Sequence, residues 1–235
     1  MNLILLNHDD FVTEERVRIT GRRLEHVRSV HRASVGDELT AGFLGGRIGR
    51  GTITSLDGAS LEMSISLDRD PPAPLPLTVI LSLPRPKVLR RVLFTLTVLG
   101  VKRIILLNSA RVEKSYWQTP FLQKDAVRQQ CILGLEQSCD TVLPEVLVKT
   151  RFKPFAEDEL PGLISGTLPL VAHPHAEDPC PRNVGRPVTL AIGPEGGFVP
   201  YEVSRFLDAG FTAVRAGERI MNIETAVPYL LSRLF

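Results

Sequence analysis

The chain has 235 residues, 43% hydrophobic and 23% charged, a globular balance that excludes wholesale disorder. Its longest apolar runs are strand-sized, well short of the roughly 20 residues a membrane helix needs, and Met1–Leu6 shows neither a basic leader nor a small-residue cleavage site, so the expectation is a soluble cytoplasmic protein with no membrane partner. Three cysteines with no CxxC pair argue against a disulfide framework and a zinc site, and the net charge of +2 is unevenly spread.

Read in chain order, the first 70 residues are mostly short strands. Leu3–Leu6 and Arg16–Thr20 are strand-like, and Asp37–Phe43, Arg47–Ser55 and Ser60–Leu67 alternate or carry β-branched residues. Gly45-Gly46 and Asp57-Gly58 form turns between them. The one helical stretch, Arg22–Val30, puts Leu24, Val27 and Val30 on one side and leaves Arg22, Arg23 and Arg28 available to solvent. Arg16 to Arg32 holds six arginines against the single acid Glu25. Five short strands in about 70 residues suggest a small barrel. The proline-rich stretch Asp70-Pro-Pro-Ala-Pro-Leu-Pro76 then reads as an extended linker, because proline fixes φ and removes amide donors. The expected organisation is a barrel domain over residues 1–70, a linker over 71–76 and a second domain over 77–235.

Beyond the linker, strands alternate with helices. Strands are expected at Leu77–Leu83, Lys102–Asn108, Glu145–Thr150, Leu168–His173, Val188–Ile192 and Ala213–Arg215. Helices are expected at Lys87–Leu99, Pro120–Ser138, Pro154–Leu160, Pro200–Ala209 and Asn222–Leu234. This pattern implies a mostly parallel sheet covered by helices, with binding sites at the carboxyl ends of the strands. Cys131, in an apolar helical stretch, is expected in the core. A second basic run spans Ser82 to Lys114, where eight Lys/Arg face the one acid Glu113. Two such runs on a nearly neutral chain point to a polyanion-binding face as readily as to a solvated surface.

Four short segments carry the chemical information. Gly193-Pro194-Glu195-Gly196-Gly197-Phe198 follows the apolar strand Val188–Ile192 and precedes the proline-initiated helix at Pro200. Glycine at three positions allows positive φ and close backbone approach to a ligand. The same residues also suit a plain tight turn. The segment is neither GxGxxG nor a P-loop, so neither a dinucleotide fold nor an ATPase is supported. Ala216–Ala226 joins a strand to a helix that Asn222 is placed to cap, and a capped terminal helix accounts for it equally well. Leu135–Ser138 ends an amphipathic helix, and Ala172-His173-Pro174-His175 ends a strand. The acids are scattered and His173 and His175 lack matching partners, so no metal is implied.

These segments, in this order, resemble the RsmE family of ribosomal RNA uridine-N3 methyltransferases within the SPOUT superfamily. The matching stretches are Leu135-Glu136-Gln137-Ser138, His173-Pro174, Ile192-Gly193-Pro194-Glu195-Gly196-Gly197 and Ala216–Ala226, together with the amino-terminal Arg22–Arg28, so the resemblance spans nearly the whole chain. It implies an α/β fold in which a SPOUT trefoil-knot domain is preceded by a small PUA-like β-barrel. It implies S-adenosyl-L-methionine (AdoMet) as cofactor, held by His173, Pro174, Ile192, Gly193, Pro194, Glu195, Gly196, Gly197, Ala216, Gly217, Ile220 and Met221. It also implies methylation at N3 of a uridine in 16S ribosomal RNA of the small ribosomal subunit. Arg219 is the expected stabiliser of the developing uridine anion, and Glu224 is expected to orient it or help remove the proton. Expected RNA contacts are Arg22, Arg23 and Arg28, and Arg85, Lys87, Arg90 and Arg91. A homodimer on the final helix is expected, since Ala226, Val227, Tyr229, Leu230, Leu231, Leu234 and Phe235 offer more apolar surface than one helix face needs.

The sequence departs from the family pattern in three places. Cys139-Asp140 stands where Gly-Arg is usual, Met221-Asn222 where Leu-Arg is usual, and Val98-Leu99-Gly100 where a helix commonly ends Glu-Leu-Gly. Each loses a charged group. A divergent enzyme acting on another RNA position, or an RNA-binding protein without catalysis, therefore stands as the alternative.

Overall fold

The computed structural model describes residues 1–235, which pack as two compact units. The first comprises Met1–Ala73 together with Cys131–Leu143. Its strands are β1 (Ile4–Leu6), β2 (Phe11–Thr13), β3 (Arg16–Ile19), β4 (Glu38–Phe43), β5 (Ile48–Leu56) and β6 (Leu61–Arg69), with helix α1 (Gly21–His26) between β3 and β4. They form one mixed sheet in the order β1-β4-β5-β6-β3-β2, parallel only at β1/β4. Period-two patterning sets which side faces inward. Leu61, Met63 and Ile65 of β6 are buried, as are Val17 and Ile19 of β3, and they meet Leu24 and Val27 in one core.

Two details differ from the expectation for the arginine-rich helix. It continues beyond His26 as a π-helical turn over Val27–His31. The wider turn breaks the 3.6-residue register, so Val30 points out at 63% exposure while Leu24 and Val27 stay buried. Arg23 is only partly available to solvent, at 18% side-chain exposure. Its guanidinium forms a two-pronged pair with both Asp10 carboxylate oxygens at 2.7 Å and also donates to the Leu5 carbonyl. A carboxylate buried beside the sheet needs such a partner, and a planar guanidinium supplies it bidentately.

The Cys131–Leu143 segment packs with this unit through Leu135, which shares a cluster with Leu3, Leu5 and Ile48. The Glu136 carbonyl accepts the amides of Asn2 and Leu3, and its buried carboxylate accepts from Arg22 at 2.6 Å. Cys131 is buried, as expected. In the departure at Cys139-Asp140, Cys139 takes a left-handed φ of 55° and Asp140 is buried.

The second unit comprises Pro74–Gln130 and Pro144–Phe235. Its elements are β7 (Leu75–Ser82), α2 (Pro86–Val98), β8 (Val101–Leu107), the start of α3 (Lys124–Ser138), β9 (Glu145–Lys149), α4 (Phe152–Pro154), α5 (Leu160–Ile164), β10 (Leu168–Ala172), β11 (Asp178–Pro179), β12 (Val188–Ile192), α6 (Pro200–Asp208), β13 (Thr212–Arg215) and α7 (Ile223–Leu234). The seven strands lie in the order β11-β13-β10-β12-β7-β8-β9, and every pairing is parallel. The helix expected from Pro120 begins instead at Lys124, after a separate 3-10 turn over Pro120–Leu122, because Gln123 is extended at ψ 141°.

Strand β12 sits in the middle of the sheet with all five residues buried. A fully buried aliphatic side chain stabilises by roughly 1.5–3 kcal/mol. The one polar member, Thr189, shares a 3.0 Å hydrogen bond with Thr167. No helix is long and apolar enough to cross a membrane. The apolar surplus of α7 is largely taken up inside its own unit: Val227, Leu230, Leu231 and Leu234 are buried, leaving Tyr229 and Phe235 partly exposed.

Replacing Asp10 with Ala strands the Arg23 guanidinium against the sheet. Losing one partner of a largely buried pair costs about 3 kcal/mol, so urea denaturation of Asp10→Ala should show a loss of that size in the first unit. A loss under about 1 kcal/mol would mean that Arg23 finds water instead.

Candidate active site

Because the sheet is wholly parallel, the loops leaving β10, β12 and β13 emerge on one edge. They enclose a cavity of about 550 Å³, within the range of small-molecule sites. Its walls come from three segments far apart in sequence: Ala172–His175, Ile192–Phe198 and Ala216–Ile223. His173, Pro174, Ile192, Gly193, Pro194, Glu195, Gly196, Gly197, Ala216, Gly217, Ile220 and Met221, all singled out from sequence as cofactor contacts, line this one cavity, as does Arg219. His175, Phe198, Asn222, Ile223, Ala226 and Leu230 join them. The last three follow from the inward face of α7, which sequence periodicity alone shows without showing what it faces.

The glycine loop is held from several sides. A Cβ on Gly193 would lie 3.0 Å from the Phe198 amide nitrogen and 3.2 Å from the Gly197 Cα, so the loop folds back on its own backbone there. Gly197 has φ +72°, which glycine adopts without a Cβ penalty. Phe198 then drops into the core, its ring centroid 5.0 Å from that of Phe206. Arg111 donates to the Gly196 carbonyl. The Glu195 carboxylate accepts the Arg85 amide at 3.0 Å and pairs with the Arg85 guanidinium at 3.6 Å. Arg85, read from sequence as an RNA contact, thus also lines the cavity.

The loop after β13 has the opposite character. From Ala216 to Met221 no backbone group is tied to another by a turn or loop hydrogen bond, so its amides and carbonyls are available to a ligand. Arg219 is exposed and engages in no ion pair. Glu224 stands apart from the other expected site residues. It lies outside the cavity lining and its carboxylate is held by Arg91 at 2.9 Å, a pairing across 133 residues that no local pattern reveals. Asn222, one of the departures, caps α7 by accepting the Thr225 amide at 2.9 Å, as the sequence suggested. His173 has its imidazole pKa pushed below the usual value, first by burial and then by the charge of His175, which favours the neutral ring in the cavity.

The other basic candidates are surface groups. Lys87, Arg90 and Arg91 lie on the exposed face of α2, while Leu89, Val92, Leu93 and Leu96 of the same helix are buried. Arg90 also stacks over Phe121, 4.9 Å from the ring centroid. In the first unit Arg28 is exposed, and Arg22 remains 47% exposed despite its pair with Glu136. No group of three or more His, Cys, Asp or Glu side chains is placed to hold a metal ion.

A wholly parallel sheet with a pocket at its carboxyl edge, floored by apolar side chains and rimmed by glycine backbone, defines an α/β domain built to hold a small organic ligand. Residues 71–235 match the RNA methyltransferase domain family, and the chain belongs to that family. It is 28% identical over 232 residues to the ribosomal RNA small subunit methyltransferase E of Treponema pallidum (strain Nichols), covering 96% of this chain and 87% of the relative. The fold is that of a ribosomal RNA small subunit methyltransferase E from Neisseria gonorrhoeae, solved bound to S-adenosyl methionine: TM-score 0.73 at 20% identity, covering 98% of this chain and 95% of the other. A Legionella pneumophila protein solved in complex with the bound cofactor SAM matches at TM-score 0.71 and 21% identity, covering 98% of this chain and 95% of the other.

The loop geometry makes a contrast between two glycines. Gly193→Ala presses a methyl against loop backbone and should destabilise the second unit by about 1–3 kcal/mol, the usual range for overpacking. Gly217→Ala, whose nearest neighbours are side-chain atoms at 3.9 and 4.0 Å, should leave stability unchanged. Thermal unfolding of the two variants checks this, and equal melting temperatures would contradict the strained-loop reading.

Proposed function

We propose that this chain is an AdoMet-dependent methyltransferase that methylates N3 of a uridine in 16S ribosomal RNA of the small ribosomal subunit. The observation that carries the reading is the convergence of three sequence-distant loops on one cavity within a chain of the RNA methyltransferase family. The Treponema relative's name and the cofactor bound in the Neisseria structure support the rRNA target and AdoMet. The donor set fits that cofactor. Unpaired backbone groups of Ala216–Met221 suit an adenine edge, Pro174, Ile220 and Met221 offer apolar surface, and a neutral His173 adds no positive charge beside a cationic ligand. AdoMet supplies an electrophilic methyl group on a sulfonium.

In this reading the protein's own work is orientation and charge stabilisation. The rigid Ile192–Phe198 loop and the open Ala216–Met221 loop fix the ligand against the incoming base, and alignment for in-line attack supplies much of the acceleration. Arg219, unpaired at the cavity, stabilises negative charge on the uridine as N3 loses its proton. Glu224 serves instead to clamp α7 to α2 through Arg91. RNA phosphate falls to Arg22 and Arg28, and to Lys87, Arg90 and Arg91; Arg23 is withdrawn from that set by Asp10.

The finer architecture belongs to the same proposal. The first unit is a PUA-like barrel. The second is a SPOUT trefoil knot, a reading supported by the way β10 is flanked by β12 and β13 while the β13–α7 loop returns to the same cavity. The protein acts in the cytoplasm as a homodimer through residual exposed groups such as Ile220, at 79% exposure, Tyr229 and Phe235.

Small ribosomal subunits from a strain lacking the modification, incubated with the protein and AdoMet, should yield 3-methyluridine by nucleoside mass spectrometry. A methyl group on ribose or another base would overturn the target, and no incorporation would overturn catalysis. Arg219→Ala should lower the single-turnover rate at saturating AdoMet by about 100- to 1,000-fold with AdoMet affinity largely retained. A near-normal rate would remove Arg219 from the chemistry.

A further inference from the structure

A second cavity, of about 420 Å³, opens on the same sheet edge beyond β8. Three aromatic side chains line it: Trp117, Phe152 and Tyr201, with Lys114 and Lys153 beside them. The Trp117 indole N–H donates to the side-chain carbonyl of Asn108, another lining residue, at 2.9 Å, and the Asn108 amide group is itself anchored on the Thr150 carbonyl. With its one polar group satisfied, the indole is left to offer a ligand its π surface. Tyr201 is 51% exposed, and its ring centroid lies 6.4 Å from that of Phe152. Ser109, only 5% exposed, lines the same cavity with a hydroxyl that has no hydrogen-bond partner. A buried polar group is rarely left unpaired, and this hydroxyl has under 1 Å² of accessible surface, so it lies within the cavity wall and not on its open face.

We infer that this cavity is a second nucleobase site, which takes an unstacked base of the RNA strand next to the one presented to the first cavity. This rests on the reading of the chain as an RNA methyltransferase acting on a flipped or single-stranded nucleotide. Aromatic faces flanked by lysines are what single-stranded nucleic acid demands: the base stacks and the ammonium groups meet phosphate. The two cavities share a wall. Phe198 lines the first and Val199 and Tyr201 line the second. Arg111 donates to the Gly196 carbonyl of the first, while its chain neighbours Ala110 and Val112 line the second. The buried Glu202 stiffens this wall, accepting the amides of Ala110 at 2.7 Å and Val199 at 3.0 Å. Metal-free stacking of this kind needs no residue of the AdoMet cavity, so the two sites separate experimentally.

Trp117 is the chain's single tryptophan, so its fluorescence reports on this cavity directly. Titration with a short single-stranded oligouridylate should quench it saturably. Tyr201→Ala should weaken that binding about 5- to 150-fold, the range for loss of one base–aromatic stack, whereas Tyr201→Phe should retain it. Ser109→Ala, a change inside the wall, should leave that binding unaltered. AdoMet affinity by calorimetry should be the same in all three variants, which also checks that they are folded. If the protein methylates ribosomal RNA but oligouridylate leaves the fluorescence unchanged, or Tyr201→Ala binds it as wild type does, the second base site is wrong and the methyltransferase reading stands. If an apolar peptide quenches and RNA does not, the cavity is a protein-docking site and the inference is overturned. If the wild type neither binds nor methylates RNA, both readings fall together.

Discussion

Parallel strands are the constraint on which the rest of the second unit depends. When every strand of a sheet runs the same way, every strand-to-helix loop leaves from one edge, however far apart the strands lie in sequence. The order β13-β10-β12-β7-β8 therefore turns loops at 173, 193 and 216 into neighbours. The cost is that such a sheet must be covered on both faces, and the fully buried β12 shows that this condition is met.

Within that frame the two halves of the site are built differently. The loop after β12 is fixed by close backbone contact at Gly193, by the tilted Phe198–Phe206 ring contact and by hydrogen bonds with Arg85 and Arg111. The loop after β13 is left without such ties and carries the unpaired Arg219. A rigid wall can hold a ligand in register, while an open loop with free polar groups can close on it. The Arg91–Glu224 pair fixes the start of α7, so that openness is confined to the few residues between β13 and Asn222.

How much of this was legible depended on the range of the interaction. Apolar runs and their punctuation gave β12, the proline-started α6 and the Asn222 cap, because each rests on residues within a turn or two of one another. The cavity lining was legible through a resemblance between motifs and not through periodicity, which cannot say that residues 173 and 217 meet. Long-range pairing stayed out of reach. Arg23 looked like a surface cation because its partner Asp10 lies 13 residues back on another element. Nothing near Glu224 in sequence shows its ion pair, because Arg91 lies 133 residues away. The register change at Val27 that exposes Val30 leaves no mark in an otherwise helical stretch. The attachment of Cys131–Leu143 to the first unit runs against chain order, so a boundary drawn at the proline-rich segment could not include it.

The central claim is that three separate loops form one AdoMet site. Amide hydrogen exchange with and without AdoMet tests it most directly, since backbone groups are the proposed contacts. The account predicts that slowed exchange appears together in peptides covering 173–176, 193–198 and 216–222, at one and the same AdoMet concentration. Protection confined to a single loop, or centred on the neighbouring 108–117 segment, would contradict it.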